Sequence, residues 1–123
     1  MPILKLDYLS RVVARNLLDT VANQKGDAVR RIVAIRRGLR LGALREELEG
    51  IERLTDESLL GYSIENYELE RADLEWLRDQ LQAKDWSERY TDQGQKVSLP
   101  MPSSYLEGVA NLMDAVAEAL MGK

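Results

Sequence analysis

The sequence has no cysteine, no histidine and no phenylalanine. The first two absences exclude disulfides, thiolate nucleophiles, zinc sites built from Cys and His, and histidine acid–base chemistry. A reducing compartment is compatible with a chain that has no cysteine, and we expect a cytoplasmic protein. Because Phe is missing and leucine is abundant, the core is predicted to be aliphatic.

Long apolar runs are also missing. No stretch approaches the ~18 apolar residues that a membrane span requires, so no membrane partner is expected. The N-terminal "MPILKLDYLSRVV" is interrupted by Asp7 and has no apolar segment followed by a cleavage site, which argues against a signal peptide. A GxxxxGK[ST] phosphate loop is absent as well, and no cofactor is expected.

The charge is unevenly distributed along the 123 residues, a length that fits one domain. The net charge is −4, but residues 1–45 hold ten Lys/Arg against three Asp, a net of +7, and residues 46–123 hold seven against eighteen acidic residues, a net of −11. This segregation indicates a basic face for nucleic acid or another polyanion. The alternative is that acidic and basic helices neutralise each other within the fold or between subunits.

The apolar spacing predicts an all-α fold, a bundle of four to five helices with one short β-hairpin near residues 88–99 before the C-terminal helix. The predicted helices cover about residues 7–22, from 28 onward, 43–53, 56–84, and from Pro102 to Gly122. Thr55 is the expected N-cap of the fourth helix, and Asp27 that of the second. "GLRLG", residues 38–42, predicts a kink or a break. "RYTDQGQKVSL" has two β-favouring arms around a glycine turn, which predicts the hairpin.

The first two helices, separated by "NQKG", have the order of a helix-turn-helix, in which the second helix enters the major groove. We therefore divide the chain into a basic N-terminal segment, 1–42, and a helical oligomerisation body, 43–123. The candidate DNA-binding residues are the cations of the second helix and its flanks. They are Lys25, Arg30, Arg31, Arg36, Arg37 and Arg40.

The predicted fourth helix carries a broad apolar stripe that is wide enough to pack against two neighbours, so we expect it to form an oligomer interface. Its members are Leu60, Ile64, Tyr67, Leu74, Leu77 and Leu81. The same helix holds Glu65-x-x-Glu68 and Glu70-x-x-Asp73, spacings at which carboxylates bind magnesium. Since both pairs fall on one helix, next to arginines, a solvated face explains them better than a metal-dependent nucleotide hydrolase does.

The segment "ALREELEGIERLTDESLLGYSIENYELERADLEWLRDQLQ" passes from Leu54-Thr55-Asp56-Glu57 into a predicted long helix with Leu60 and Tyr62. "TDQGQKVSLPMPSSYLEGVANLMDAVAEALMG" adds a hairpin with Gly94 and Pro100, and a closing helix. This arrangement, over about residues 43–122, resembles the phage terminase small subunits.

The resemblance implies a non-enzymatic viral DNA-packaging protein. Such a protein would form a homo-oligomeric ring, bind double-stranded DNA, and recruit or regulate the terminase large subunit, an ATPase–nuclease. An alternative of another class is a small helical adaptor or inhibitor that binds a host protein through its acidic face. In that case the basic helix would only neutralise the acidic body.

Overall fold

The computed structural model describes residues 1–21, 25–51, 55–86, 88–90, 96–98 and 103–122. These residues are mostly helical, and a short antiparallel hairpin precedes the last helix, so the predicted fold class is confirmed. The helices are α1 (Tyr8–Asp19), α2 (Asp27–Gly38), α3 (Leu44–Glu49), α4 (Asp56–Leu59), α5 (Arg71–Ala83) and α6 (Ser103–Met121). The strands are β1 (Ile3–Leu6), β2 (Glu65–Glu68), β3 (Glu88–Tyr90) and β4 (Lys96–Ser98).

Helix α6 is the centre of the fold and packs against α1, α5 and β1. A Cβ atom at Gly108 would lie 2.6 Å from Leu9 Cγ, so α1 and α6 approach each other at a distance that only glycine allows. Apolar residues from both predicted segments, including Leu17, Ile35 and Leu77, join one core. The two predicted segments therefore share a core. No helix in the described residues has the length and apolar character needed to cross a bilayer.

Helix α1 begins where the sequence predicted, because Asp7 caps it. One carboxylate oxygen of Asp7 accepts from the Ser10 N–H at 2.7 Å, and the other accepts from the Gly61 N–H at 2.7 Å. The capping residue is 5% exposed, so its charge is compensated by backbone donors from two parts of the chain. The helix ends at Asp19, earlier than the predicted Ala22.

The predicted single helix over residues 56–84 is wrong. Thr55 does cap a helix there, in a capping box with Ser58, but α4 ends after one turn. Gly61 (φ +74°) and Ser63 (φ +55°) then take left-handed backbone conformations, which no continuous α-helix contains. The chain continues into β2 and only afterwards into α5.

Strand β2 exists because it pairs with β1, an N-terminal strand that the helical spacing did not predict. The two are antiparallel, in a register that places Leu4 opposite Tyr67 and Lys5 opposite Asn66. Along β1, Leu4 and Leu6 are buried while Ile3 and Lys5 are exposed, the period of two that a half-buried strand requires. The predicted hairpin is formed by β3 and β4 with Arg89 opposite Val97, whereas residues 91–95 and 99–102 lie outside the described residues.

The segment "GLRLG" is a helix break. Helix α2 ends at Gly38, Arg40 adopts a left-handed conformation (φ +53°), and a 3-10 turn over Leu41–Ala43 leads into α3. A Cβ atom at Gly38 would lie 2.8 Å from the Glu68 carbonyl oxygen, so the end of α2 rests directly on the backbone at the end of β2.

The buried guanidinium of Arg11 holds this break in place. Arg11 Nε donates to the Leu39 carbonyl at 3.0 Å, and Nη2 donates to the Arg40 carbonyl at 2.7 Å. Its Nη1 forms an ion pair with Glu47 of α3 at 2.7 Å. The side chain is 1% exposed. We call Arg11 with these three acceptors the Arg11 junction, which joins α1 to the helix break and to α3.

Candidate nucleic-acid interface

Helix α2 carries most of the cations that the sequence marked as DNA-binding. Gly26 precedes it without a side-chain cap, and Asp27, the predicted cap, is its first residue. Asp27 in the first turn and Arg36 and Arg37 in the last turn all complement the helix dipole. Ile35 is fully buried, and the helix packs against α5 and the 3-10 turn, which leaves its opposite face in solvent.

Three of the six candidate cations are held by carboxylates of the same chain. The Arg31 guanidinium lies 3.3 Å from Asp73 of α5, and that of Arg36 lies 2.8 Å from Asp19 of α1. Arg40 pairs with Glu65 of β2 at 2.9 Å. These pairs connect α2 and its C-terminal turn to three other elements of the fold.

Arg40 also covers an aromatic ring. Its guanidinium carbon lies 4.9 Å from the Tyr67 ring centroid, and that of Arg11 lies 5.1 Å from the same centroid. Burial raises the pKa of the Tyr67 hydroxyl, while the charges of Arg11 and Arg40 act in the opposite direction. The ring therefore links the Arg11 junction to the end of α2.

The other three candidate cations are exposed. Lys25, Arg30 and Arg37 form no ion pair within the part of the chain that the structure describes. Arg30 and Arg37 are seven residues apart, which places them about two turns apart on the same side of the helix. Lys25 lies just before the helix begins. Of the six candidates, these three can therefore bind an anion without giving up an ion-pair partner in the described residues.

Two valines share this exposed face, and the sequence analysis did not identify them. Val29 is 43% exposed and Val33 is 40% exposed, and they lie one helical turn apart next to Arg30 and Arg37. We call Lys25, Val29, Arg30, Val33 and Arg37 the basic α2 surface. An open groove of about 440 Å³ borders it. Its lining residues are Val33, Arg36, Arg37, Arg40, Gly42 and Ala43. The sequence signal for the valines was their four-residue spacing on the side opposite Ile35.

The order of α1 and α2 matches the predicted helix-turn-helix, but their principal packing partners differ from that motif. Helix α1 packs chiefly against α6, and α2 packs against α5 and the 3-10 turn. Residues 22–24 of the connection lie outside the described residues. We therefore take the basic α2 surface, without the helix-turn-helix geometry, as the candidate interface.

The carboxylates considered for magnesium do not lie on one helix. Glu65 and Glu68 belong to β2, Glu70 precedes α5, and Asp73 lies in its first turn. Glu65 and Asp73 are paired with arginines of the α2 region. Within the described ranges, no group of three or more Asp or Glu side chains is arranged to hold a metal ion.

The fold buries some residues of the predicted oligomer stripe and leaves others at the surface. Tyr67, Leu74, Leu77 and Leu81 are at most 3% exposed and belong to the core of the chain itself. The interface prediction for these four is therefore corrected, because they have no surface left for a second subunit. Leu60 is partly exposed and Ile64 is 61% exposed, so the prediction stands untested for these two.

Comparisons with protein-family models, with curated proteins and with solved structures each found no match to this chain. The geometry of α2 and the resemblance over about residues 43–122 are therefore the two indications of function. Of these two, the geometry names the residues that can be tested.

Proposed function

We propose that this chain is a non-enzymatic DNA-binding protein of viral genome packaging, a terminase small subunit that contacts duplex DNA through the basic α2 surface. The observation that supports the proposal is that the candidate cations divide into a paired group and an exposed group. Lys25, Arg30 and Arg37 are exposed and without carboxylate partners in the described residues, on or next to a single helix. The packaging role, with a ring of subunits and a large-subunit partner, comes from the resemblance.

The dimensions of α2 suit this role. Its twelve residues give a length of about 18 Å, and the major groove of B-DNA, about 12 Å wide, admits an α-helix. On the side of α2 that faces away from Ile35, Val29, Val33 and Arg37 are exposed, and the 3-10 turn borders this side only at the open groove. A groove wall can therefore approach this side.

The three internal pairs limit the strength of binding by one subunit. Each phosphate neutralised by a cation contributes about −0.9 to the slope of log K against log salt. Three contacts predict a slope of about −2.7, and all six candidate cations would predict about −5.4. Binding by one subunit should thus weaken about 40-fold between 50 and 200 mM salt. A ring would offset this weakness, because linked subunits bind the same duplex together.

The experiment is a titration of a fluorescent linear duplex, followed by anisotropy, at several salt concentrations between about 50 and 200 mM. We expect binding at low salt with a slope near −2.7 per bound subunit. The triple variant K25Q/R30Q/R37Q should lose this binding and keep its circular dichroism spectrum, because all three side chains are exposed. Arg36→Gln is the matched control on the same helix, since Arg36 already has a partner.

Wild-type protein that is folded and still does not bind duplex DNA at low salt would overturn the proposal. The ring is tested separately by light scattering at the concentrations used for binding. A monomer mass both with and without DNA would contradict the packaging role, even if DNA binding were observed.

A further inference from the structure

We infer that Val29 and Val33 of the basic α2 surface contact thymine methyl groups in the major groove, so that binding depends on base sequence as well as on phosphate charge. This inference rests on the proposed DNA binding and adds a chemical preference to it. Cations that contact phosphates position a protein on the duplex, whereas contacts to base edges distinguish one sequence from another.

The two valines are unusual for the place where they lie. Scattered apolar side chains on a surface need no explanation, but these two lie one turn apart on one face, next to Arg30 and Arg37, which have no ion-pair partner in the described residues. A helix face that binds only phosphates would be expected to carry polar residues at such positions. A partner that presents apolar groups beside negative charges therefore fits this face.

The thymine edge of duplex DNA has this chemistry. Its C5 methyl group is exposed in the major groove between the phosphates of the two strands, and apolar side chains contact it. The minor groove, about 6 Å wide, does not expose this methyl group. The sign of the charges on Arg30 and Arg37 matches the groove walls, and the valine methyl groups match its floor.

The spacing on the helix also fits the duplex. Val29 and Val33 are four residues apart, which is about 6 Å along the axis, close to two base-pair steps of about 3.4 Å. Valine is stiff at χ1 in a helix, so the positions of its methyl groups are well defined before binding. We therefore expect a preference for sites with two thymines about two steps apart in the groove.

The test compares two duplexes of the same sequence, one with thymine and one with deoxyuridine, which lacks only the C5 methyl group. Burial of a methyl group contributes about fourfold to affinity, so two contacts predict a preference of about 4- to 16-fold for the thymine duplex. The double variant V29A/V33A should bind both duplexes with about the same affinity. It should also retain its salt dependence, because the cations remain.

Two control variants make the result specific. Leu106→Ala removes an apolar side chain of α6 that is 43% exposed, as Val29 is, and should leave the preference unchanged. The variant R30Q/R37Q should weaken binding to both duplexes and retain the ratio between them.

The outcomes distinguish the proposed DNA binding from the proposed thymine contacts. Absence of DNA binding by folded wild-type protein overturns the proposed function and this inference together. Binding with equal affinity for the thymine and deoxyuridine duplexes overturns only this inference. A thymine preference that V29A/V33A retains shows that other residues, or the shape of the duplex, cause it, which also overturns the assignment to these valines.

Discussion

Arginine occupies two contrasting regions of this protein, the Arg11 junction and the basic α2 surface. Arg11 is 1% exposed and its guanidinium contacts two carbonyls and a carboxylate. Arg30 and Arg37 are exposed and have no ion-pair partner in the described residues. A buried guanidinium is tolerated only when its donors are satisfied, so the junction is fixed by its own chemistry. An exposed guanidinium has no such requirement and remains available to a partner.

The local sequences do not distinguish these two roles. Arg11 stands in "SRVVA" and Arg30 in "AVRRIV", in both cases beside valine on a helix. The distinction arises because Leu39, Arg40 and Glu47, all distant in sequence, converge on Arg11. Substitutions in the two regions test this contrast.

Replacement of Arg11 by methionine should be strongly destabilising. Methionine fills similar space but leaves the carboxylate of Glu47 and the carbonyls of Leu39 and Arg40 without their donors. Loss of one partner from a buried ion pair costs about 3–5 kcal/mol, and we expect the lower end because Glu47 is 35% exposed. The free energy of unfolding from urea denaturation measures this loss.

The matched control is Arg30→Met on the exposed face, which should change stability by no more than about 0.5 kcal/mol. If the two substitutions had equal costs, the distinction between a structural arginine and an available one would be wrong.

Gly38 and Gly42 offer a second contrast within "GLRLG". A Cβ atom at Gly38 would clash with the Leu69 side chain and lie 2.8 Å from the Glu68 carbonyl oxygen, whereas at Gly42 nothing lies within 4 Å. Gly38→Ala should therefore cost about 1–3 kcal/mol, since backbone cannot move aside as a flexible side chain does. Gly42→Ala should be neutral or slightly stabilising. Thermal unfolding of the two variants would contradict this explanation if both lost stability equally.

Local signals predicted the parts of the fold that local interactions determine. Thr55 does cap a helix, and the arms of the hairpin do pair, whereas Asp27 is the first residue of α2 and not its cap. Strand β2 was missed because Leu60, Ile64 and Tyr67 happen to follow a helical spacing. The structure there is determined by Gly61 and by pairing with β1, which is about 60 residues away in sequence. No periodicity within a segment contains that information.

The candidate interface, like the fold, was predictable from the sequence only in part. The cluster of cations on α2 followed from the sequence, but which of them are available did not. Asp73 lies 42 residues from Arg31, and Glu65 lies 25 residues from Arg40, so only the tertiary fold decides that these arginines are paired. The same reason explains why Val29 and Val33 were not identified, since the exposed side of α2 depends on where α5 packs.

The third prediction compares neighbouring arginines in DNA binding. Arg37→Gln should reduce the salt slope by about 0.9 and lower affinity several-fold, because it removes one phosphate contact. Arg36→Gln should change the slope by much less, since Arg36 is already paired with Asp19 at 2.8 Å. Anisotropy titrations of both variants at three salt concentrations measure the two slopes. Equal slopes for the two variants would show that the internal pair does not withhold Arg36 from DNA.

The ring of Tyr67 lies near both Arg11 and Arg40, and its hydroxyl provides a weaker test of the same contrast. Burial is the main cause that raises its pKa above the ordinary value of 10.0. As the pH rises through that value, the unfolded chain releases the phenolic proton before the folded chain does. The folded state thus binds more protons, and the stability that Tyr67 contributes is complete below pH 10 and is lost as the pH rises through its higher folded pKa.

Tyr67→Phe removes this titration together with the contacts of the hydroxyl to Glu65, at 3.5 Å, and to Arg40. Urea denaturation from pH 8 to pH 11 should therefore show a steeper loss of stability for the wild type than for the variant. Other tyrosines and lysines titrate in both proteins, so the difference between the two curves isolates Tyr67. If the two curves of stability against pH stayed parallel above pH 10, the Tyr67 ring would have to be accessible to water. The Arg11 junction and the end of α2 would then not share a buried side chain.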